Sequence, residues 1–303
     1  MNLPALPLEK WEQTKITLHL MLQIAGKIQL AQNPKQNHWW HITELVSAKG
    51  ISTQPICFSN DQRVEILFNL QEHRVEISSN KGLLSTIPLL GLSVAVFYRQ
   101  LMEVLNKAGL KTKIIAKPFD IPGIEKPFGE LEQYNTYQAE YARRFHEVLL
   151  FTDRVFKKFK GRSYAKTCPV HLYWHHFDLT MTRFSGKQAP KMPAEASQVE
   201  KEAYSHEVIS FGFWAGDDKV REAAYYSYTY PLPEGIDQEP LQPEAAQWVE
   251  SNGSPMAFLT YEAVRSAPNP EQALLDFLES SYQAGAKRAD WPVEELKNEW
   301  ATS

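Results

Sequence analysis

The order of helix and strand patterns along the chain limits its architecture more than any other feature of the sequence. In each half, a long helical stripe precedes a run of strand patterns, and a further helix pattern follows the run. Sequential strands joined by short turns favour antiparallel pairing. The order therefore predicts an α+β fold of two helix–strands–helix halves, each with an antiparallel sheet backed by helices, packed as one compact unit.

Apolar residues at helical spacing predict the long helices, and cap residues predict some of their ends. Ser93 is a typical N-cap, and Gly109 is typical of the left-handed residue after a helix. A cap followed by proline at the first helical position marks the last long helix. The predicted helices are Trp11–Ala31, 94–108, Tyr141 to about Gly161, and a helix from Asn269-Pro270 to about Tyr282, with a short one over Pro292–Trp300.

β-branched and aromatic residues are concentrated between these helices and predict the strands. The predicted strands are His38–Ala48, Arg63–Leu70, Arg74–Ser79, His171–Arg183, His206–Trp214, Ala223–Tyr230 and Met256–Tyr261, with a further candidate at Thr112–Ala116. Two Pro- and Ala-rich stretches, Lys187–Lys201 and Pro231–Pro255, are predicted to be surface loops.

The repeated order also predicts an internal duplication. We divide the chain into an N-terminal half (1–117), a linker rich in Pro, Gly and Glu (118–135) and a C-terminal half (136–303). An offset of 134 aligns Trp40-His41 with Trp174-His175, whereas an offset of 133 aligns His38 with His171. A one-residue slip exchanges the two faces of a strand, and only 133 keeps apolar face on apolar face, so we prefer it.

Composition excludes several classes of protein. The chain has 303 residues, with 32 Lys and Arg against 36 Asp and Glu, which argues against non-specific binding of nucleic acid. We expect no membrane-spanning segment and no secretory signal. Cys57 and Cys168 are too few for a disulfide framework or a cysteine-rich zinc site. These features predict a cytoplasmic protein, and we expect its partner to be a small-molecule ligand and neither a nucleic acid nor a membrane.

The histidines are the main chemical signal, because neutral imidazole binds metals and titrates near neutral pH. Two local pairs, His38 with His41 and His206 with Glu207, have odd spacing, which sends the members to opposite faces of a straight strand. A shared site must therefore take one residue from each of several strands. The best combination is His38 and His171 with His19 and either His206 or Glu207. Three such ligands together with water would suit zinc or iron. The alternative is that each histidine is a hydrogen-bonded structural residue.

Other residues are candidates for contact with a substrate. A carboxylate partner is expected from Glu207 or Asp178, and Arg183 suits an anionic group unless it pairs with an acid such as Asp178. Ser185 follows a strand, but the sequence brings no base to it. Aromatic rings that carry a polar atom line many small-molecule pockets. The alternative is that these rings are part of the hydrophobic core. The predicted ligand contacts of this kind are His41, Trp40, Trp174 and Trp214.

Four segments resemble the signature segments of a bacterial family of about 300-residue proteins that is classed only as a domain of unknown function. They are TLHLMLQIAGKIQLA, NHWWH, CPVHLYWHHFDLTMTRFSGKQAP and EAYSHEVISFGFWAG. The family pattern includes His19, His38, His41, His171, Asp178, Arg183, Ser185, His206 and Glu207 as they stand here. His175 and His176 depart from it. The resemblance implies no activity.

Two hypotheses about function follow. The first is a small-molecule enzyme, with metal-dependent hydrolysis or oxidation as the candidate chemistry and His38, His171 and His206 as ligands or proton carriers. The second is a non-catalytic binding or interaction protein with an aromatic–histidine cleft. Convergence of the three histidines within about 5 Å favours the enzyme, whereas scattered histidines bonded to backbone favour the second hypothesis.

Overall fold

A computed structural model describes residues 3–58 and 61–298. Its helices are α1 (Leu8–Gln32), α2 (Val94–Lys107), α3 (Ala139–Gly161), α4 (Gln198–Ala203), α5 (Tyr261–Ser266), α6 (Pro270–Arg288) and α7 (Val293–Leu296). Its strands are β1 (Glu44–Ser47), β2 (Gly50–Thr53), β3 (Ile56–Cys57), β4 (Arg63–Asn69), β5 (Arg74–Ser79), β6 (Gly82–Pro88), β7 (His171–Tyr173), β8 (Asp178–Gln188), β9 (His206–Trp214), β10 (Ala224–Tyr230), β11 (Gln247–Ser251) and β12 (Ser254–Thr260).

One antiparallel sheet runs through the molecule. Its strands follow the order β11-β12-β10-β9-β8-β7-β1-β2-β4-β5-β6, and β3 pairs with β4 beside this path. Each half is built around a meander, β1-β2-β4-β5-β6 in the first and β7-β8-β9-β10 in the second, where β12 and then β11 follow β10 out of chain order. The two meanders meet where β1 pairs with β7 through a single residue pair, Glu44 opposite Leu172. The predicted α+β class with antiparallel strands is confirmed, but the two predicted sheets are one continuous sheet.

Strand alternation gives the sheet two different faces. Leu172, Leu179 and Phe213 lie side by side in β7, β8 and β9, and we call their side the helix face. Tyr225 continues this row in β10, and its hydroxyl is 3.1 Å from Oγ1 of Thr152 in α3. The intervening residues point to the opposite side, which we call the outer face.

The core lies on the helix face and belongs to both halves. A single cluster of buried apolar side chains extends from the N-terminal segment before α1 to the segment after α6. The helix α1 lies deep in it, because Leu20 and Ile24 are fully buried beside the predicted stripe that contains Leu18, Met21 and Leu22. Within 3–58 and 61–298, no helix is both long and apolar enough to cross a membrane.

The strand predicted over His38–Ala48 begins only at Glu44. The residues before it form a short 3-10 segment, Asn37–Ile42, in which His38 and Trp39 have φ of 53° and 61°. Left-handed backbone is costly for residues with a side chain and is enriched at functional sites. Histidine adopts this region more readily than most residues but tryptophan does not, so the local sequence marks the turn only weakly.

The strand predicted over His171–Arg183 is divided by a turn at 174–177. Phe177 has a φ of 61° there, and its ring stacks on that of Phe145 in α3 with a centroid distance of 4.9 Å. This turn changes what the two duplication offsets align. An offset of 133 aligns Glu44, the first residue of β1, with Phe177, and an offset of 134 aligns it with Asp178. Each offset thus sets β1 against the start of β8 and not against β7.

The remaining predictions agree with the structure to different degrees. Ser93 caps α2 by accepting a hydrogen bond from the Val96 amide at 3.2 Å, and Gly109 is left-handed with φ of 73°. The candidate strand Thr112–Ala116 is irregular, and the predicted loops contain α4 and β11. The predicted last helix is shorter than expected, and its end at Trp300 lies outside the described residues.

Gly26 in α1 allows the indole of Trp174 to lie against the helix. A Cβ added at Gly26 would lie 2.1 Å from Cδ1 of Trp174. We expect Gly26→Ala to lower the free energy of unfolding in urea by about 1–3 kcal/mol through overpacking. The helix propensity of alanine, worth about 1 kcal/mol, acts in the opposite direction.

The matched control is Gly161→Ala at the end of α3, where an added Cβ meets nothing within 4 Å. This variant should keep the stability of the wild type or exceed it. Equal effects of the two substitutions in urea denaturation would contradict the contact between Gly26 and Trp174.

Glu44 is a buried carboxyl group where the two meanders join. It is fully buried, and neither carboxyl oxygen has a hydrogen-bond partner among the described residues. Burial raises the pKa of Glu44 well above its ordinary value, because the charged form loses its hydration. The folded protein therefore holds a proton here that the unfolded chain releases as pH rises.

We expect this group to make the protein less stable as pH increases above the ordinary carboxyl pKa. The loss is at most about 1.4 kcal/mol per pH unit while the folded protein keeps the proton. Glu44→Gln has no such proton and should give a flatter dependence of unfolding free energy on pH between 5 and 8. The prediction is wrong if chemical denaturation shows the same slope for both proteins.

Candidate functional site

Asp178 begins β8 on the outer face and is joined to β10 by a short hydrogen bond. The hydroxyl of Tyr226 donates to Oδ2 of Asp178 at 2.6 Å. To reach it, the Tyr226 ring crosses Gly212 of β9, where an added Cβ would lie 2.2 Å from Cζ of Tyr226. A glycine in the middle of a strand often marks such a close approach. The bond between the two strands therefore depends on Gly212.

Four tyrosines surround the Asp178 carboxyl group. Tyr173 lies opposite Asp178 in β7, and Tyr226 and Tyr228 come from β10 with parallel rings 6.2 Å apart. The hydroxyl of Tyr204, which follows α4, is 3.2 Å from that of Tyr228. Burial and the nearby Asp178 raise the pKa of Tyr173, Tyr226 and Tyr228, so these hydroxyls stay protonated at neutral pH.

His171 and Thr180 extend this group along the outer face. They are directly opposite each other in β7 and β8, and Thr180 is two residues from Asp178 on the same face. The His171 ring lies 4.7 Å from that of Tyr173. We call Asp178, His171, Thr180 and the four tyrosines (Tyr173, Tyr204, Tyr226 and Tyr228) the Asp178 cluster.

Several polar atoms of the Asp178 cluster are buried without a partner. Among the described residues, nothing hydrogen-bonds to Oδ1 of Asp178, to Oγ1 of Thr180 or to either ring nitrogen of His171. Buried polar groups in folded proteins are almost always paired with protein or with water. Four unpaired atoms at adjacent positions on one face are therefore the polar lining expected of a binding site.

Burial also sets the charge of these groups. It lowers the pKa of His171 to about 3, with a smaller contribution from Lys160, so the imidazole is neutral and presents one donor and one acceptor. Burial raises the pKa of Asp178, and the hydrogen bond from Tyr226 acts in the opposite direction. The cluster thus offers hydrogen-bond donors and acceptors but no positive charge.

His38 and His206 meet at the end of the same face. The left-handed turn brings the His38 ring to 4.7 Å from Phe184 and 6.1 Å from His206, with Trp40 at 5.4 Å. Nδ1 of His38 is 3.2 Å from the carbonyl oxygen of Ala203. The carbonyl of His38 itself accepts a hydrogen bond from Tyr173 at 3.2 Å, which links this histidine pair to the Asp178 cluster.

His19 lies in a different place from the other predicted metal ligands. Its Nε2 is 2.9 Å from the Trp174 carbonyl oxygen, so it holds the turn between β7 and β8 against α1. Burial lowers the pKa of His19 to about 3. Within residues 3–58 and 61–298, His, Cys, Asp and Glu side chains form no group of three or more that could hold a metal ion.

Two of the residues predicted to contact a ligand, Trp174 and His41, are buried and packed against other parts of the protein. Trp174 is buried against Gly26, with Nζ of Lys27 5.6 Å above its ring. His41 is buried and accepts a hydrogen bond from the Gln36 amide at 3.3 Å. Trp214 differs from them, since it is half-buried on the outer face with its ring 5.5 Å from Tyr226.

The last predicted site residues lie on the helix face. Ser185 donates to Oε2 of Glu207 at 2.7 Å, and the indole of Trp291 donates to the same oxygen at 3.1 Å. Glu207 is therefore held by two donors and points away from its neighbour His206. Arg183 is also on the helix face, and strand alternation separates it from Asp178.

Sequence reasoning missed several members of the site. Thr180 and Gly212 carry no chemical motif, and Tyr204 follows a stretch read as loop. The available signal was alternation, because polar residues at 178, 180 and 182 share one face of β8, as do the tyrosines at 226 and 228 in β10. Predicting which tyrosine reaches Asp178 requires the pairing of β8, β9 and β10.

Comparison with known proteins gave one match. The model of a family described as "Family of unknown function (DUF5996)" matches residues 3–298. No curated protein and no solved structure matches the chain.

Thr180 and Thr182 form a matched pair for testing the unpaired hydroxyl. Oγ1 of Thr182 is 2.9 Å from Oγ of Ser210, whereas Oγ1 of Thr180 has no partner among the described residues. We expect Thr182→Val to lower the free energy of unfolding by about 1 kcal/mol, the usual value of one hydrogen bond. Thr180→Val should leave it unchanged or raise it, and an equal loss in urea titration would show that this hydroxyl already has a protein partner.

Proposed function

We propose that this chain, which belongs to the DUF5996 family of unknown function, binds a small neutral molecule at the Asp178 cluster. The family match agrees with the resemblance seen in the sequence. The observation that carries the proposal is the set of buried, unpaired polar atoms on His171, Asp178 and Thr180. Such atoms cost free energy unless a ligand or water completes their hydrogen bonds.

The chemistry of the cluster selects the class of ligand. A neutral imidazole, a hydroxyl and a carboxyl group with raised pKa favour a molecule that has both donors and acceptors. The site has no guanidinium or ammonium group to balance an anion. The rings of Tyr173, Tyr226 and Trp214 provide apolar surface beside these atoms, which suits a flat or ring-shaped molecule.

Access to these atoms requires movement of the segment that lies over the outer face. The short helix α4 has no buried residue, and Tyr204 at its end reaches the cluster through Tyr228. Segments with few buried apolar contacts open at the lowest free-energy cost. We therefore propose that α4 and Tyr204 move away from the outer face to let a ligand reach the Asp178 cluster.

A second candidate is an enzyme that uses the same residues for proton transfer. The observation in its favour is the 2.6 Å hydrogen bond between Tyr226 and an aspartate whose pKa is raised by burial. Carboxyl groups in such surroundings are common in active sites. In this case Asp178 would exchange a proton with the ligand, and hydrolysis or oxidation stays the candidate reaction.

We also propose that the two halves of the chain are copies of one unit. The support is topological: α1, the strands β1 to β6 and α2 are followed by α3, the strands β7 to β12 and α6, and each set of strands begins with an antiparallel meander. The first strands of the two meanders are adjacent and antiparallel, as a two-fold relation requires. In this arrangement β1 corresponds to β7, and the Asp178 cluster is built by the second copy alone.

The binding proposal can be tested with small neutral probes. We would titrate uracil, benzamide and glucose into the protein, and tetramethylammonium chloride and sodium acetate as charged comparators, while following amide resonances by NMR. At least one neutral probe should bind, with shifts centred on β7, β8 and β10. Thr180→Val and Asp178→Asn should each weaken that binding by about tenfold, the effect of losing one hydrogen bond to a ligand.

The matched control is Thr182→Val, which alters a paired hydroxyl on the same strand and should keep the affinity of the wild type. Binding of only the charged probes would contradict the ligand class. If Thr180→Val binds the neutral probe as tightly as the wild type does, the proposed binding site at the Asp178 cluster is wrong. A time-dependent chemical change of the bound probe, absent in Asp178→Asn, would favour the enzyme.

A further inference from the structure

A second candidate site lies on the other side of the sheet, where the end of α3 meets α6 and the segment around α7. It is a partly open cleft of about 220 Å³. The residues that matter to its chemistry are Arg162, Arg183, Glu279, Tyr282, Glu294 and Lys297. The cleft shares no residue with the Asp178 cluster, because Arg183 and Asp178 are on opposite faces of β8.

Arg183 is held in this cleft by two aromatic rings and a backbone carbonyl group. The ring of Phe159 lies 3.7 Å from Cζ of Arg183 on α3, and that of Tyr282 lies 4.3 Å away on α6. Nη2 donates to the Phe159 carbonyl oxygen at 2.5 Å. The two ring centroids are 6.3 Å apart with their planes at 75°, so the rings form a corner around the guanidinium, and its N–H groups remain the side that can bind further partners.

This buried cation lacks a carboxylate partner in the protein. Arg183 is 1% exposed, and none of the described acidic groups lies within 4.0 Å of it. Its Nε has no hydrogen-bond partner in that part of the chain. The carboxylate of Glu279 acts on Arg183 from a distance by raising its pKa, and it pairs with Arg162 at 3.9 Å. Burying a charge without a partner is unfavourable, so a bound anion would stabilise this arrangement.

The charges around the cleft agree with a small anion. Three cations, Arg162, Arg183 and Lys297, line it together with two acids, Glu279 and Glu294, which leaves one net positive charge. Burial lowers the pKa of Arg183 to about 10, so the group is still charged at neutral pH. The backbone bridge between Ser163 and Lys297 fixes the segment after α7 beside Arg183.

We infer that the cleft binds a small oxyanion, either a carboxylate or a phosphate group, along the N–H edge of Arg183. The planar fork of an arginine matches the oxygen spacing of both groups, and charge-assisted hydrogen bonds of this kind are about twice as strong as neutral ones. The contacts with Phe159 and Tyr282 and the hydrogen bond to the Phe159 carbonyl oxygen fix the fork before binding, which reduces the entropy lost on association.

The test is a titration of the full chain with sodium acetate and sodium phosphate at constant ionic strength, with sodium chloride as the comparator. We expect saturable binding of at least one oxyanion, seen as a rise in melting temperature and as a shift of the Arg183 Nε–Hε resonance in NMR. Response to acetate alone identifies a carboxylate site, and response to phosphate alone identifies a phosphate site. Response to both supports the shared oxyanion chemistry.

Arg183→Lys keeps the charge but loses the fork, and it should weaken the binding by about tenfold or more. The matched control is Arg154→Gln on α3, which removes an exposed arginine paired with Glu271 at 2.8 Å and should bind as the wild type does. If Arg183→Lys does not fold, the Nε–Hε shift in the wild type decides alone. No saturable shift, or an equal response to chloride, would overturn the inference.

Discussion

Backbone pairing across β7, β8, β9 and β10 determines which chemistry each side of the molecule can have. Leu172, Leu179 and Phe213 form one row, and this row must face the helices because it is the apolar one. The same register sends Asp178 and Thr180 to the outer face and Arg183 to the helix face. Since a slip of one residue would exchange the two sets, the hydrophobic row positions both polar sites without contacting either ligand.

The two sites solve the problem of buried charge in different ways. Around Asp178, burial raises the pKa of the carboxyl and lowers that of His171, so both groups move toward their neutral forms. Arg183 keeps its charge in spite of burial, because guanidinium starts from a much higher pKa. The proposals of a neutral ligand on one side and an anion on the other both rest on this difference.

Much of the framework was predictable from the sequence, because periodicity and caps are local signals. Strand alternation correctly separated His206, which contacts His38, from Glu207, which binds Ser185 and Trp291. The left-handed turn at His38 and Trp39 was not predicted, since two consecutive left-handed residues without a glycine are uncommon and strand propensity dominates the local sequence. The site at Asp178 could not be predicted for another reason. Its geometry depends on the register of β8, β9 and β10 and on the absence of a side chain at Gly212.

The narrow junction between the meanders has a consequence for how the molecule moves. β1 and β7 share one residue pair, whereas β8 and β9 pair along most of their length. Motion that separates the two halves of the sheet therefore breaks few backbone hydrogen bonds. Resistance to it comes from side chains that cross the junction, such as His146 of α3, whose Nε2 is 2.9 Å from the Ser47 carbonyl oxygen. The shared core and the side chains that cross the junction therefore hold the two halves together more than the backbone pairing of the sheet does.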